Sequence, residues 1–145
     1  MKKRGLRAKV ERVLSDLGCH DKELSILFTD GRRMAQLNLR YMGRTGPTNV
    51  LAFPMSDFNA PAAGQTPDIE TGLLGDVVIS VDTAQREAEE SGEPLEQTVD
   101  RLLIHGILHL LGHDHVASEE QAALMEKEEE RLMALVEGGQ EIWHA

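Results

Sequence analysis

Four of the six histidines fall within eleven residues, His105-Gly106-Ile107-Leu108-His109-Leu110-Leu111-Gly112-His113-Asp114-His115, and they interrupt the most apolar stretch of the chain. His105 and His109 are spaced i and i+4. On a helix their side chains stand on one face about 6 Å apart, close enough for both imidazoles to reach one metal ion. Buried imidazoles without partners are costly, and a divalent ion ligated by neutral imidazole satisfies two of them together. The competing reading is a pair of core histidines bonded to backbone. It accounts for one such residue more readily than for a cluster.

A third ligand must come from beyond the pair. If the helix ran on, His113 would stand one further turn along the same stripe. Gly112 argues otherwise, because a glycine just past a helix commonly takes the left-handed conformation that turns the chain away. His113, Asp114 and His115 would then enter a loop able to fold back over the ion, with His115 as the third ligand. Asp114 is left three roles: ligand, orienting partner of an imidazole, or cap of the next segment. Three histidines leave one position of a tetrahedral zinc site to water, the arrangement of a catalytic centre, although another divalent metal would also suit. Such an ion lowers the pKa of its water to about 7, so hydrolysis is the expected chemistry. Zinc peptidases of the His-Glu-x-x-His type carry a general base directly after the first histidine, and here that position is Gly106. Asp76 or Asp114 would have to take its place.

The elements that hold these residues are readable from periodicity. Arg7 to Leu17 has the spacing of a helix, Glu23 to Thr29 that of a short strand, and Arg32 to Tyr41 that of a second helix. Thr48 to Met55 and Leu73 to Val81 are the best strand candidates, the latter continuous enough to be central in a sheet. Residues 56 to 72, with Pro61, Gly64, Pro67 and Gly72, read as a long loop between them. Asp82 is placed to cap a helix running to about Glu90. From Leu95 an apolar stripe widens after Leu102 until it covers nearly the whole circumference, which predicts a buried helix. Ser118 with Gln121 resembles a capping box for a last helix whose inner face would be Leu124, Met125, Leu132, Leu135 and Val136. The fold class expected is α+β: one domain over residues 1–145, a small mixed sheet surrounded by helices, and a metal site at the end of the buried helix.

At 145 residues, 41% hydrophobic and 28% charged, the chain has the composition of an ordinary globular domain. No apolar run approaches the roughly 20 residues of a membrane span, so no membrane partner is expected. Cys19 is the only cysteine, which excludes an internal disulfide and points to the cytoplasm. The net charge of −10 is unevenly spread. Residues 1–44 hold eleven of the fifteen basic residues against five acids, a balance of +6, which suits either one surface facing a polyanion or a merely polar surface. One Tyr, one Trp and three Phe give no broad platform for stacking bases, so contacts to nucleic acid would be dominated by backbone.

The run from His105 to His115 resembles the signature His-Gly-x-Leu-His-Leu-x-Gly-Tyr-Asp-His of the YbeY family of bacterial rRNA maturation factors, with His113 where Tyr is usual. Leu37-Asn38, then Pro47-Thr48-Asn49-Val50-Leu51-Ala52-Phe53-Pro54, resembles the family's second motif. Leu74-Gly75-Asp76-Val77-Val78-Ile79 resembles its central strand. The resemblance implies a metal-dependent, single-strand-specific endoribonuclease of 16S rRNA 3′ end maturation and ribosome quality control. Its partners would be rRNA and the small ribosomal subunit, and its zinc would be held by His105, His109 and His115. One departure bears on RNA binding. The family usually has Tyr-Arg-Gly before the second motif, and this chain reads Tyr41-Met42-Gly43, so Arg44, or Arg40 on the other side, is expected to supply the charge. Two other readings compete: a zinc hydrolase of peptides, and a non-catalytic ribosome-assembly factor in which a fourth protein ligand closes the metal site.

Overall fold

The apolar run near the middle of the chain becomes the centre of the sheet. In the computed structural model, which describes residues 3–19, 21–46, 48–54, 73–112 and 118–144, strand β3 (Leu73–Ser80) lies between β1 (Glu23–Thr29) and β2 (Val50–Pro54). β1 runs parallel to β3 and β2 antiparallel, giving the mixed sheet. From Gly75 to Ser80 every residue of β3 except Asp76 is buried. A strand covered on both faces needs no polar alternation, which is why it reads as continuous in sequence. β1, at an edge, alternates between exposed and half-buried positions over most of its length.

Parity along the strands separates two faces. Val77 and Ile79 join a core built with Val10, Val13 and Leu14 of helix α1 (Lys3–Asp16), Ala84 of α3 (Val81–Ser91), and buried residues of α4 (Leu95–Leu110) and α5 (Glu119–His144). On the other face Val78, Leu51 and Phe53 pack with Met34 of α2 (Gly31–Leu37). Helix α4 is the hub of the larger core, in contact with β2, β3, α3 and α5. Ile104, Ile107 and Leu108 are at most 2% exposed, and each contributes about 1.5–3 kcal/mol by leaving water.

Several local expectations are refined. The predicted helix of residues 32–41 divides into α2, capped by Asp30 accepting from the Arg33 N–H at 2.8 Å, and a π-helical turn, Asn38–Met42, that ends at Gly43 with φ 67°. Asn38 points inward there and its Nδ2 donates to the Gly46 carbonyl at 2.9 Å. Asp82 does not cap α3. The chain leaves β3 at Ser80, whose Oγ accepts from the Thr83 N–H at 3.3 Å. Asp82 sits inside the first turn, where its Oδ2 accepts from the Gly31 N–H at 2.9 Å and ties α3 to the start of α2. Ser118 does cap α5, accepting from the Gln121 N–H at 3.0 Å. On α5, Met125, Leu132 and Val136 are buried, but Leu124 is 59% exposed and does not belong to the inner face. The expected loop of residues 56–72 lies outside the described residues. Among those described, no helix is long and apolar enough to cross a membrane.

Candidate metal centre

The last two turns of α4 carry the histidine pair. His105 and His109 are half-buried, with their ring centroids 4.6 Å apart, planes inclined at 66°, and Nε2 atoms facing each other at 3.0 Å. On the far side of the first ring, His105 Nδ1 contacts Oε1 of Glu129, which reaches across from α5. A carboxylate at Nδ1 holds the proton there and leaves the lone pair on Nε2. Two imidazole nitrogens each about 2.0–2.1 Å from a tetrahedral zinc stand about 3.3 Å apart. The observed pair, oriented nitrogen to nitrogen, therefore fits a shared ion with a shift of a few tenths of an ångström.

α4 ends as Gly112 predicts. The Leu111 N–H donates to the carbonyls of Ile107 and Leu108, the Gly112 N–H donates to that of His109 at 3.1 Å, and Gly112 takes φ 98°. His113, Asp114 and His115 lie outside the described residues, and the chain is described again from Ser118. Among the described residues no group of three possible ligands converges.

Gly106 has a packing reason. It faces the sheet, where an added Cβ would stand 2.8 Å and 3.2 Å from the two methyls of Val77 and 3.5 Å from Val50 Cγ2. A glutamate at this position would be driven into the sheet, so the peptidase base is excluded by how α4 packs. Asp76 is separated from the pair by the sheet itself. Gly75 and Val77 meet Leu110 and Gly106 of α4, so Asp76, one residue out of phase, belongs to the face shared with its β2 partner Phe53.

Arg44 and Arg40 are exposed at and just beyond the π-helical turn. The Arg44 N–H donates to the Asn38 carbonyl at 3.3 Å, and the Arg40 guanidinium lies 5.4 Å from the centroid of Tyr41. Tyr41 in turn packs edge-on against Phe53 at 5.4 Å. Met42, where the resemblance leads one to expect an arginine, is 44% exposed.

Sequence reasoning passed over Glu129. The buried residues of α5 recur as Met125, Leu132 and Val136, and a seam of 4-3-4 spacing places Glu129 between the first two. A carboxylate in an apolar seam is the signal that was there to be read.

A second polar cluster occupies the other half of α4. Lys9 of α1 donates from Nζ to Glu96 Oε1 at 2.8 Å and to Asp100 Oδ2 at 2.9 Å, with the Lys9 and Asp100 side chains each 8% exposed. Burial by itself would lower the Lys9 pKa, but the two carboxylates outweigh it and hold the ammonium above its ordinary value. Nearby, Arg101 donates to both oxygens of Glu93 at 2.6 and 2.8 Å, and Thr98 Oγ1 to one of them at 2.7 Å. These bonds, the arginine's first, pull the Glu93 carboxyl down to about 2.

Comparison with known proteins adds to this geometry. A family model described as Endoribonuclease YbeY matches residues 2–137. The chain is similar to the endoribonuclease YbeY of Syntrophus aciditrophicus, 40% identical over 136 residues, covering 93% of this chain and 81% of that protein. It is similar to that of Geobacter sulfurreducens at 42% over 137 residues, covering 94% and 87%. The solution structure of TM1509 from Thermotoga maritima shares the fold, with a TM-score of 0.65 at 22% identity over 95% of this chain and 83% of that one.

Proposed function

The chain belongs to the endoribonuclease YbeY family, and on that premise we propose a metal-dependent cleavage of single-stranded RNA serving 16S rRNA 3′ end maturation and ribosome quality control. The observation that carries the metal dependence is the pair of Nε2 atoms facing each other at 3.0 Å on the one helix of the larger core that meets β2, β3, α3 and α5. His105, His109 and His115 would hold one zinc ion. When bound, zinc supplies a Lewis acid beside the scissile phosphate and water acidified to a pKa of about 7. The protein's own part is positional. Glu129 fixes which His105 nitrogen carries the proton, Gly112 ends α4 at φ 98°, and His115 beyond it would supply the third ligand. Arg44, with Arg40, would hold phosphates of the strand from the exposed π-helical turn, in place of the arginine that Met42 replaces. Asp114 is the carboxylate proposed for proton transfer, since Asp76 lies on the other face of the sheet. The proposed setting is the cytoplasm, on rRNA of the small ribosomal subunit, and the lone Cys19 suits that reducing compartment.

The test uses the whole protein and its His109→Ala variant, with metal content measured first. Each is then incubated with single-stranded RNA, duplex RNA and a peptide, with and without chelator. Single-stranded RNA should be cut only by the metal-loaded wild type, with at least about a 100-fold loss in the variant. Cleavage that persists in His109→Ala would reveal a contaminating nuclease and remove the proposal. Arg44→Ala should weaken RNA binding while leaving metal content intact, and unchanged affinity and cleavage would end the substitution idea.

A further inference from the structure

The geometry points to Glu129 as the positioning residue of the metal centre, a carboxylate delivered from α5 that sets the tautomer and ring angle of His105. The inference rests on the proposed metal site. Its own basis is that packing does not explain the residue. Glu129 falls between Met125, 1% exposed, and Leu132, 0% exposed, on the stripe by which α5 docks, where an apolar side chain would continue the seam. A carboxylate there loses hydration unless something offsets it. The neighbouring guanidiniums give their hydrogen bonds elsewhere, Arg101 to both oxygens of Glu93 and Arg131 to Glu128 and Asp16, so that Arg101 acts on Glu129 only as a charge across space. The hydrogen-bond partner of Glu129 among the described residues is His105 Nδ1, and the side chains of the two are only 21% and 28% exposed.

A hydrogen bond at Nδ1 does two things for the opposite nitrogen. It excludes the tautomer with a proton on Nε2, and it fixes the rotation of the ring. Because donor and acceptor sit on different helices, the angle at which His105 addresses its ligand is set by how α5 lies on α4. Ion binding and the docking of the last helix are therefore linked.

The experiment compares wild type, Glu129→Leu and Glu129→Gln. Zinc affinity is read by competition with a chromophoric chelator, thermal stability is read on the metal-free proteins, and the His105 tautomer is read by nitrogen-15 NMR of labelled imidazoles. Leucine completes the apolar seam, so the metal-free Glu129→Leu protein should melt at or above the wild-type temperature, yet bind zinc about 10–100-fold more weakly. His105 should shift from a single Nδ1-protonated form to a tautomer mixture. Glutamine still offers an oxygen to Nδ1 and should fall between the two. Wild-type zinc affinity in Glu129→Leu overturns the inference, as does an affinity loss that merely follows a drop in melting temperature. His109→Ala separates the two levels. If it binds zinc as wild type does, the centre itself is wrong; if it abolishes binding while Glu129→Leu does not weaken it, the Glu129 role alone is wrong.

Discussion

Near the start of α4 one cation and two carboxylates close on each other, Lys9 between Glu96 and Asp100 at 2.8 and 2.9 Å. Near its end two like groups, the Nε2 atoms of His105 and His109, point at each other at 3.0 Å. Both clusters place ionisable side chains on the helix that fills the larger core. The first is closed by its own hydrogen bonds, one cation between two carboxylates, although burial still holds the Asp100 carboxyl above its ordinary value. The second is built so that something positive, a proton or a metal ion, stands between two lone pairs. Complementary burial of charge holds helices in place, whereas convergence of like acceptors on one point makes a site.

That contrast gives opposite outcomes when each cluster is cut. Lys9→Met leaves the Asp100 carboxylate buried without its cation and should lower the unfolding free energy by about 3–5 kcal/mol in a urea titration. Zinc affinity should stay within about twofold of wild type. Adding Asp100→Leu should restore most of the loss, and if stability does not recover, the cluster is not the closed unit described. Gly106→Ala tests the contact between α4 and the sheet, at the residue that separates the two histidines on the sheet side. Its methyl would meet Val77, a buried β-branched side chain with little room to move, at 2.8 Å. Overpacking of this kind should cost about 1–3 kcal/mol, and a variant as stable as wild type would show that α4 can lift from the sheet freely. The smallest effect concerns Glu93. Its carboxyl is held down to about 2 from an ordinary 4.5, so its contribution is present above about 4.5 and is lost as the pH falls through about 2. Glu93→Gln should therefore lower the melting temperature modestly at pH 7 and by less and less below pH 4.5. A constant difference across that range would mean that the Arg101 pair does not stabilise the fold.

Much of this arrangement was legible in the sequence wherever one local rule decided the outcome. The central strand, the buried helix, the same-face histidines, the left-handed Gly112 and the Ser118 cap each follow from period or turn chemistry within a few residues. What escaped depended on how elements are set against each other. The facing of Asp76 could not be read because β3 is covered on both sides and its apolar run carries no parity. Leu124 was assigned to the inner face because helical spacing tolerates neighbours on a stripe, while the actual seam passes through the adjacent Met125. Glu129 stands out in sequence only as a carboxylate in an apolar seam, and nothing local names its partner, which is 24 positions away on another helix. The cap expected at Asp82 falls on Ser80 because Ser80 is at once the last residue of a strand and the first cap of a helix, two roles that its sequence context does not separate.

The strand order β1-β3-β2 puts the central strand last in the chain. During synthesis both outer strands leave the ribosome before the strand that must pair with them, so neither has its ladder partner until Ser80 has emerged. The parallel pairing of β1 with β3 bridges some fifty residues, from Glu23 to Leu73 at its first register pair. Contacts of such separation form slowly. Nascent chains of this protein should therefore acquire protease resistance late and in one step, after α4 can cover the sheet. Stalled chains whose emerged portion ends before and after Leu110, compared by limited proteolysis, would locate that step, and early resistance once β2 has emerged would contradict it.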